Sequence, residues 1–114
     1  MTINNIYANL CFQADAEVTD TLFNGENVRI ERICSSGQTG DVYDQCEHEW
    51  VLVLEGQAEL LLVDQDKHIR LKQGDCFFIP ARQRHQVTYT SETCLWLCVF
   101  WNDRSVTMSG KDAS

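Results

Sequence analysis

Two short stretches of the chain decide its fold. They read EWVLVLEG at residues 49–56 and GDCFFIP at residues 74–80, and the second is followed closely by His85. In each stretch, apolar and β-branched or aromatic side chains run up to a residue that stops a strand, Gly56 or Pro80. Runs of this length and composition, bounded by glycine or proline, are typical of β-strands. The sequence therefore predicts two strands at the centre of the chain.

Other segments with strand character surround these two stretches. We predict strands at residues 28–34, 49–54, 58–63, 68–71, 76–79, 86–90 and 94–101. A tight turn at Glu55-Gly56 predicts that the strands before and after it pair as a hairpin, and the polar turn at residues 64–67 predicts a second hairpin. Residues 16–23 fit either a short helix or a strand that packs across the others. Short strands at this close spacing predict an all-β barrel or sandwich.

The length of 114 residues allows one domain with one hydrophobic core. We expect an N-terminal segment at residues 1–25 that packs on the barrel or on a dimer partner. The barrel itself is expected at residues 26–101. Residues 102–114 are polar and are expected to form a C-terminal tail.

The charge of the chain limits its partners. Seventeen acidic residues and nine basic ones give a formal net charge of −8. Nucleic acids and anionic membrane surfaces require a basic surface, so neither is expected as a partner. No apolar run approaches the roughly 20 residues that span a bilayer, and the first residues do not resemble a secretory signal peptide. We expect a cytoplasmic protein whose partners are a small-molecule ligand and a second copy of the chain.

The six cysteines do not show the spacing of a structural zinc site or a redox motif. In a cytoplasmic chain with enough aliphatic residues for a core, they are expected to be reduced. Cys94 and Cys98 lie on the same face of one predicted strand, so we expect both to be buried as small apolar side chains.

The two central stretches resemble the two sequence motifs of the cupin family. Glu49 and Gly56 have the spacing of the end of the first motif, and Gly74, Pro80 and His85 have the spacing of the second. The resemblance covers about residues 26–101. It implies a small single cupin barrel, which is a double-stranded β-helix of jelly-roll type, in a single-domain protein with a Tyr-Asp-Gln variant of the first motif.

The resemblance also implies where a site would lie. Cupins usually carry a metal site with four ligands, and Glu49 and His85 hold two of those positions. Tyr43 and Gln45 stand where the family has its histidine pair, which makes the metal site degenerate. Two further positions differ: Tyr89 replaces the terminal asparagine of the second motif, and Arg82 replaces its glycine.

Strand geometry supports a pairing of Glu49 with His85. If Glu49 points into the barrel, Val51 and Val53 do so too, because side chains alternate along a strand. A buried carboxylate needs a partner, and His85 is the obvious one. The adjacent His48 should then face away from the interior. We expect neither His48 nor Cys46 to be a metal ligand, although an irregular loop before Glu49 would allow Cys46 to contribute.

Three functions stay open at this point. The first is a metal-dependent oxygenase or isomerase that holds Fe, Mn, Zn or Ni through Glu49, His85 and Gln45. The second is a metal-free isomerase or epimerase in which His85 or Glu49 is the base and Tyr43 or Tyr89 is the acid. The third is a non-catalytic module that binds a small ligand in an apolar cavity. In a metal-free barrel, Glu49 and His85 could also form a purely structural pair.

Overall fold

Eight β-strands and no helix form the described part of the chain. A computed structural model describes residues 4–103. The strands are β1 (Val18–Asn24), β2 (Val28–Ser35), β3 (His48–Glu55), β4 (Gln57–Leu62), β5 (Lys67–Lys72), β6 (Cys76–Ile79), β7 (His85–Thr90) and β8 (Cys94–Trp101). None of the described residues form a helix long and apolar enough to cross a membrane. The C-terminal tail predicted at residues 102–114 lies outside the described residues from position 104 onwards.

The strands form two antiparallel sheets that pack face to face. The larger sheet has the order β1-β2-β8-β3-β6, and the smaller one has the order β5-β4-β7. Apolar side chains from both sheets fill the space between them, and the buried set comprises Val51, Val53, Ala58, Leu60, Leu71, Ile79, Cys94, Trp96, Cys98 and Phe100. This arrangement confirms the predicted all-β barrel and the burial of Cys94 and Cys98. All six cysteines are free thiols.

The predicted strand positions agree closely with the structure. The strands predicted at residues 76–79 and 94–101 have the observed bounds, and the other predicted strands end within one residue of the observed ones. Of the two alternatives for residues 16–23, the strand is correct, because β1 pairs with β2. The hairpin across residues 64–67 is also confirmed, since β4 pairs with β5.

The predicted hairpin across Gly56 is wrong. β3 pairs with β6 and β8 in the larger sheet, whereas β4 pairs with β5 and β7 in the smaller one. The chain turns a corner between the sheets at Gly56, whose φ of 88° lies in the left-handed region that favours glycine. A Cβ at this position would lie 2.1 Å from the carbonyl oxygen of Thr93. The local sequence shows a tight turn, but the direction of the following strand depends on its partners.

The N-terminal segment packs on the outer face of the larger sheet. Its strand β1 forms one edge of that sheet. The buried side chain of Arg32 donates hydrogen bonds from Nη1 to the carbonyl oxygens of Ile6 (2.9 Å) and Ala8 (2.7 Å), and Nη2 pairs with Asp20 at 2.7 Å. The described part of the segment is thereby held against its own barrel.

Substitution of two glycines separates backbone strain from steric overlap. Gly56 and Gly74 have nearly the same φ, 88° and 90°, but no heavy atom lies within 4 Å of a Cβ placed on Gly74. We expect Gly74→Ala to cost about 1–2 kcal/mol in the free energy of unfolding, because only the left-handed conformation is penalised. Gly56→Ala should cost at least about 3 kcal/mol, because its Cβ also overlaps the backbone at Thr93. Urea denaturation measures both, and equal losses would contradict the corner role of Gly56.

Candidate functional site

A cavity of about 300 Å³ lies between the two sheets. This volume is at the lower end of the range for small-molecule sites, roughly 300–1,000 Å³. Apolar side chains such as Val51, Leu60, Ile79 and Trp96 form much of its wall. Polar side chains also line it, and they include Tyr43, Gln45, Glu49 and His85. The cavity therefore combines an apolar wall with several polar and charged side chains.

Glu49 and His85 approach each other from opposite sheets. Glu49 lies near the start of β3 and is 8% exposed, while His85 is the first residue of β7 and is 4% exposed. The distance from His85 Nε2 to Glu49 Oε1 is 3.6 Å. The structure thus places Glu49 inward with Val51 and Val53, as strand alternation predicted, and brings it to His85.

The imidazole of His85 is held in one orientation. Its Nδ1 lies 2.8 Å from the carbonyl oxygen of Gln83, an acceptor, so Nδ1 carries a proton and Nε2 faces Glu49 and the cavity. Burial alone lowers the pKa of His85, but the interactions with Glu49 and with the Gln83 carbonyl outweigh it. The pKa of His85 therefore lies above its usual value.

Two further groups contact Glu49. Gln45 Nε2 donates to Glu49 Oε1 at 3.2 Å and to the carbonyl oxygen of Glu47 at 3.4 Å. The thiol of Cys98 is buried beside the carboxylate, and this burial, together with the charge of Glu49, raises the pKa of Cys98 well above its usual range. The thiol is therefore protonated. Strand alternation predicts that Cys98 and Glu49 both point inward, but it does not show that the two side chains are neighbours.

The two candidate tyrosines differ in position. Tyr43 lines the cavity, is 52% exposed, and has its ring centroid 6.0 Å from that of His85. Its backbone also bridges to His85, with Tyr43 N donating to His85 O at 2.8 Å. Tyr43 therefore lies at the mouth of the cavity, beside the imidazole.

Tyr89 does not belong to the cavity. Simple alternation from His85 and Val87 would point Tyr89 inward. The register of β7 against β4 shifts at Thr88, so that Glu59 pairs with Tyr89 whereas Leu60 pairs with Val87. This β-bulge reverses the alternation and turns Tyr89 to the outer surface, where Arg70 lies over its ring. The prediction of Tyr89 as a possible acid in the cavity is corrected by this register shift.

His48 and Cys46 also lie outside the site. The ring of His48 is on the outer side of β3, where Nδ1 accepts a hydrogen bond from the backbone N–H of Ala81 at 2.9 Å and Nε2 lies 3.0 Å from Asp103. Cys46 is exposed and does not line the cavity. The prediction that His48 faces away from the interior is confirmed.

The sequence analysis missed a charged group at the cavity. Arg29, Glu31 and Ile33 line the cavity from one face of β2. The guanidinium of Arg29 contacts Glu31 at 2.7 Å and Glu47 at 2.8 Å, and it lies 4.2 Å above the ring of Phe100. Alternation along β2 could have predicted this, because it places these three side chains on one face of the strand, the face that points into the barrel.

The donor set does not fit a firmly bound divalent ion. Glu49, His85 and Gln45 come together, but Gln45 turns its amide N–H group towards two oxygen acceptors, so its oxygen faces away. The neighbouring thiol of Cys98 is protonated. In residues 4–103 there is no group of three or more His, Cys, Asp or Glu side chains that could share an ion. Firm metal sites in proteins generally use at least three such ligands.

Comparisons with known proteins agree with this fold. A family model described as the cupin domain matches residues 36–100. No curated protein matches the chain. A solved structure of a proposed mannose-6-phosphate isomerase from Ralstonia eutropha JMP134 is 30% identical, covers 90% of this chain and 99% of its own, and has a TM-score of 0.83.

Two more distant structures share the fold. An RmlC-like cupin protein from Desulfovibrio desulfuricans is 22% identical over 87% of this chain and 95% of its own, with a TM-score of 0.71. KdgF from Halomonas sp. is 18% identical over 78% of this chain and 81% of its own, with a TM-score of 0.68. The family match spans more than half of the chain, and the first motif, the second motif and the two-sheet barrel all agree with it. The chain therefore belongs to the cupin family.

Proposed function

We propose that the cavity binds a small organic molecule and that His85, supported by Glu49, moves a proton on it, as in an isomerase or epimerase. One observation carries this proposal. An imidazole that is almost fully buried presents Nε2 to the cavity, 3.6 Å from a buried carboxylate oxygen. A base oriented by a second group, with its reactive nitrogen open to a ligand site, is the arrangement that proton transfer requires.

The geometry assigns separate roles to the two side chains. In neutral His85, Nδ1–H is directed at the Gln83 carbonyl, so the lone pair of Nε2 accepts a proton from the ligand. Glu49 then stabilises the imidazolium through its negative charge. The proton leaves a carbon next to a carbonyl group, and the electron pair of that C–H bond moves towards the carbonyl oxygen.

Tyr43 is the candidate acid. It lines the cavity next to His85, so its phenol can donate a proton to the carbonyl oxygen as negative charge develops there. In an isomerisation, His85 returns the proton to the former carbonyl carbon while the Tyr43 phenolate removes the proton of the hydroxyl group on the adjacent carbon, so that the carbonyl group moves by one carbon. In an epimerisation, the enol turns its opposite face to His85, which returns the proton to the original carbon while Tyr43 recovers its proton from the enol oxygen. The solved structure with 30% identity, a proposed mannose-6-phosphate isomerase, supports this class of reaction.

Exchange of carbon-bound hydrogen in D₂O tests the proposal. We expect the protein to replace a proton next to the carbonyl group with deuterium in at least one member of a panel of reducing sugars and small ketones. NMR measures the rate of this exchange. His85→Gln should lower the exchange rate about 100-fold or more, because the base is removed. His68→Gln is the matched control, since His68 forms a similar pair with Glu59 on the outer surface.

The pH dependence of the same reaction has a defined sign. The base must be neutral, so the exchange rate should rise as the pH increases through the raised pKa of His85. Glu49→Gln should move the midpoint to lower pH, because the charge that favours the imidazolium is lost. Exchange that persists in His85→Gln would contradict the proposal. Ligand binding without any exchange would favour the non-catalytic binding module.

Metal-dependent oxygenation or isomerisation is the second candidate. It is favoured by the orientation of His85, since a histidine ligand usually donates its other ring N–H to a carbonyl oxygen, as Nδ1 does here. From the donor set, we expect protein purified without chelator to hold well below one equivalent of Fe, Mn, Zn or Ni by elemental analysis. Stoichiometric metal that disappears in both His85→Ala and Glu49→Gln would instead establish the metal site at Glu49, His85 and Gln45.

We also propose that the protein is a homodimer formed through the outer face of the larger sheet. An aromatic cluster lies on this face, in which Phe78 is 46% exposed and its ring is 5.8 Å from those of both Trp101 and His48. Trp50 pairs with Phe78 in the sheet register and extends the cluster. A contiguous apolar surface of this kind marks an interaction site.

A second copy is the occupant that fits this face. Aromatic rings and His48 form this face, and the Asp103 carboxylate beside them lies 3.0 Å from Nε2 of His48, so two copies can meet there despite the net charge of −8. An isologous contact would bury the cluster of one protomer against that of its partner.

Light scattering after size-exclusion chromatography tests this interface. We expect the wild-type protein to be a dimer and Phe78→Glu to be a monomer, because a carboxylate would be buried in the contact. Tyr89→Glu is the matched control, since Tyr89 is an equally exposed aromatic residue on the other sheet, and this variant should stay dimeric. A monomeric wild type, or a dimeric Phe78→Glu, would contradict the proposed interface.

A further inference from the structure

The charges around the cavity are unequal. Glu17, Glu31 and Glu49 line it, and the cationic groups that face them are Arg29 and, when protonated, His85. Among residues 4–103, no lysine lines the cavity. The electrostatic field in a cavity of this kind favours positive charge.

The guanidinium of Arg29 is already neutralised by protein carboxylates. Nε donates to Glu31 at 2.7 Å, while Nη1 and Nη2 donate to the two carboxylate oxygens of Glu47 at 2.8 and 3.2 Å. These bonds use three of its five N–H groups. A ligand anion approaching Arg29 would meet two carboxylates as well. Arg29 is therefore unsuited to hold a phosphate or a carboxylate group.

His85 is similarly engaged. Its Nδ1–H donates a hydrogen bond to the Gln83 carbonyl oxygen, and its Nε2 lies next to Glu49. An anion placed at Nε2 would lie close to a buried carboxylate and would be repelled by it. Nε2 is therefore open to a neutral or positively charged ligand group rather than to an anion.

Glu17 is a carboxylate at the cavity with no ion pair in the described part of the chain. Its position is nevertheless defined. Ser35 Oγ donates to Glu17 Oε2 at 2.5 Å, and Trp96 Nε1 donates to Ser35 Oγ at 3.1 Å. Glu17 is an exposed residue, and its carboxylate lies at the cavity with a hydrogen bond from the Ser35 hydroxyl but without a positive charge beside it.

We infer that the ligand of this cavity carries a protonated amine, and that the cavity discriminates against phosphorylated and carboxylated compounds. The inference rests on the proposed function only in placing the ligand in this cavity. Glu17 supplies a carboxylate that lacks a cation, and the aromatic residues Tyr43 and Trp96 also line the cavity. Carboxylates together with aromatic rings are the groups that recognise ammonium ions.

This inference separates the chain from the reaction named for the 30% identical structure. A phosphosugar carries a phosphate group with close to two negative charges. In the cavity of this chain, each cationic group that could bind the phosphate is paired with glutamate. The two proteins thus share a fold, but we do not expect this chain to bind a phosphorylated ligand.

Binding of matched probes tests the inference. One set is D-glucosamine, D-glucose, D-glucuronate and D-glucose 6-phosphate, and the other is benzylamine, benzyl alcohol and benzoate. The readout is the indole N–H signal of Trp96 in NMR spectra of the full chain. The indole signals of Trp50 and Trp101 are internal controls, because these residues do not line the cavity.

We expect the amine of at least one set to shift the Trp96 signal and to bind at least about tenfold more tightly than the alcohol and the acids of that set. Glu17→Gln should reduce this preference, because the unpaired carboxylate is lost. Glu92→Gln is the matched control, since Glu92 is an exposed carboxylate that does not line the cavity, and it should leave the preference unchanged. High salt should weaken amine binding more than alcohol binding.

The possible failures are distinguishable. If an alcohol or an acid shifts Trp96 as strongly as the amine, the charge preference is refuted while binding in the cavity stands. If glucose 6-phosphate or glucuronate binds most tightly, the inference is overturned in favour of an anionic ligand. If no probe of either set shifts Trp96, both the amine ligand and small-molecule binding in this cavity are contradicted. A preference that is unchanged in Glu17→Gln would refute the role given to Glu17.

Discussion

The burial of a carboxylate, Glu49, is the constraint on which the site depends. A charge enclosed between two sheets is costly unless other groups compensate it. His85 approaches from the opposite sheet, Gln45 donates a hydrogen bond, and the thiol of Cys98 stays protonated beside the carboxylate. The carboxylate and these three groups come from three strands and one loop, so the barrel must close before the charge is compensated. The polar pair therefore depends on tertiary structure, and the cavity forms around it.

The loop between β6 and β7 supports this pair through its backbone. Arg82 has a φ of 68°, and its N–H donates to the carbonyl oxygen of Gln45 at 2.8 Å. The carbonyl of Gln83 then holds Nδ1 of His85. Arg82 stands where the family motif has glycine, and the left-handed conformation is kept even though a side chain is present there. The backbone at Arg82 and Gln83 thus contacts both Gln45 and His85 from a left-handed turn that carries a side chain.

Charge has two separate roles in this molecule. On the outer surface, carboxylates pair with basic residues, as Asp64 does with Arg84, and such pairs contribute little to stability. At the cavity, the basic groups are fewer than the carboxylates, and Arg29 is shared between Glu31 and Glu47. A ligand in the cavity would experience this excess of carboxylates. The excess favours positively charged ligand groups, whichever reaction occurs there.

The strands, the family and the inward direction of Glu49 could be predicted from the sequence, because alternation, turn residues and motif spacing are local properties of the chain. Other features depend on contacts between distant parts of the chain. The pairing of β3 and β4 with different sheets depends on the corner at Gly56, and the outward position of Tyr89 depends on a bulge that forms against β4. Whether Arg29 is free or neutralised depends on Glu47, which is 18 residues away in sequence. Strand pairing, strand register and charge compensation all depend on contacts between segments that are distant in sequence. The pattern of residues along the chain does not show which segments meet.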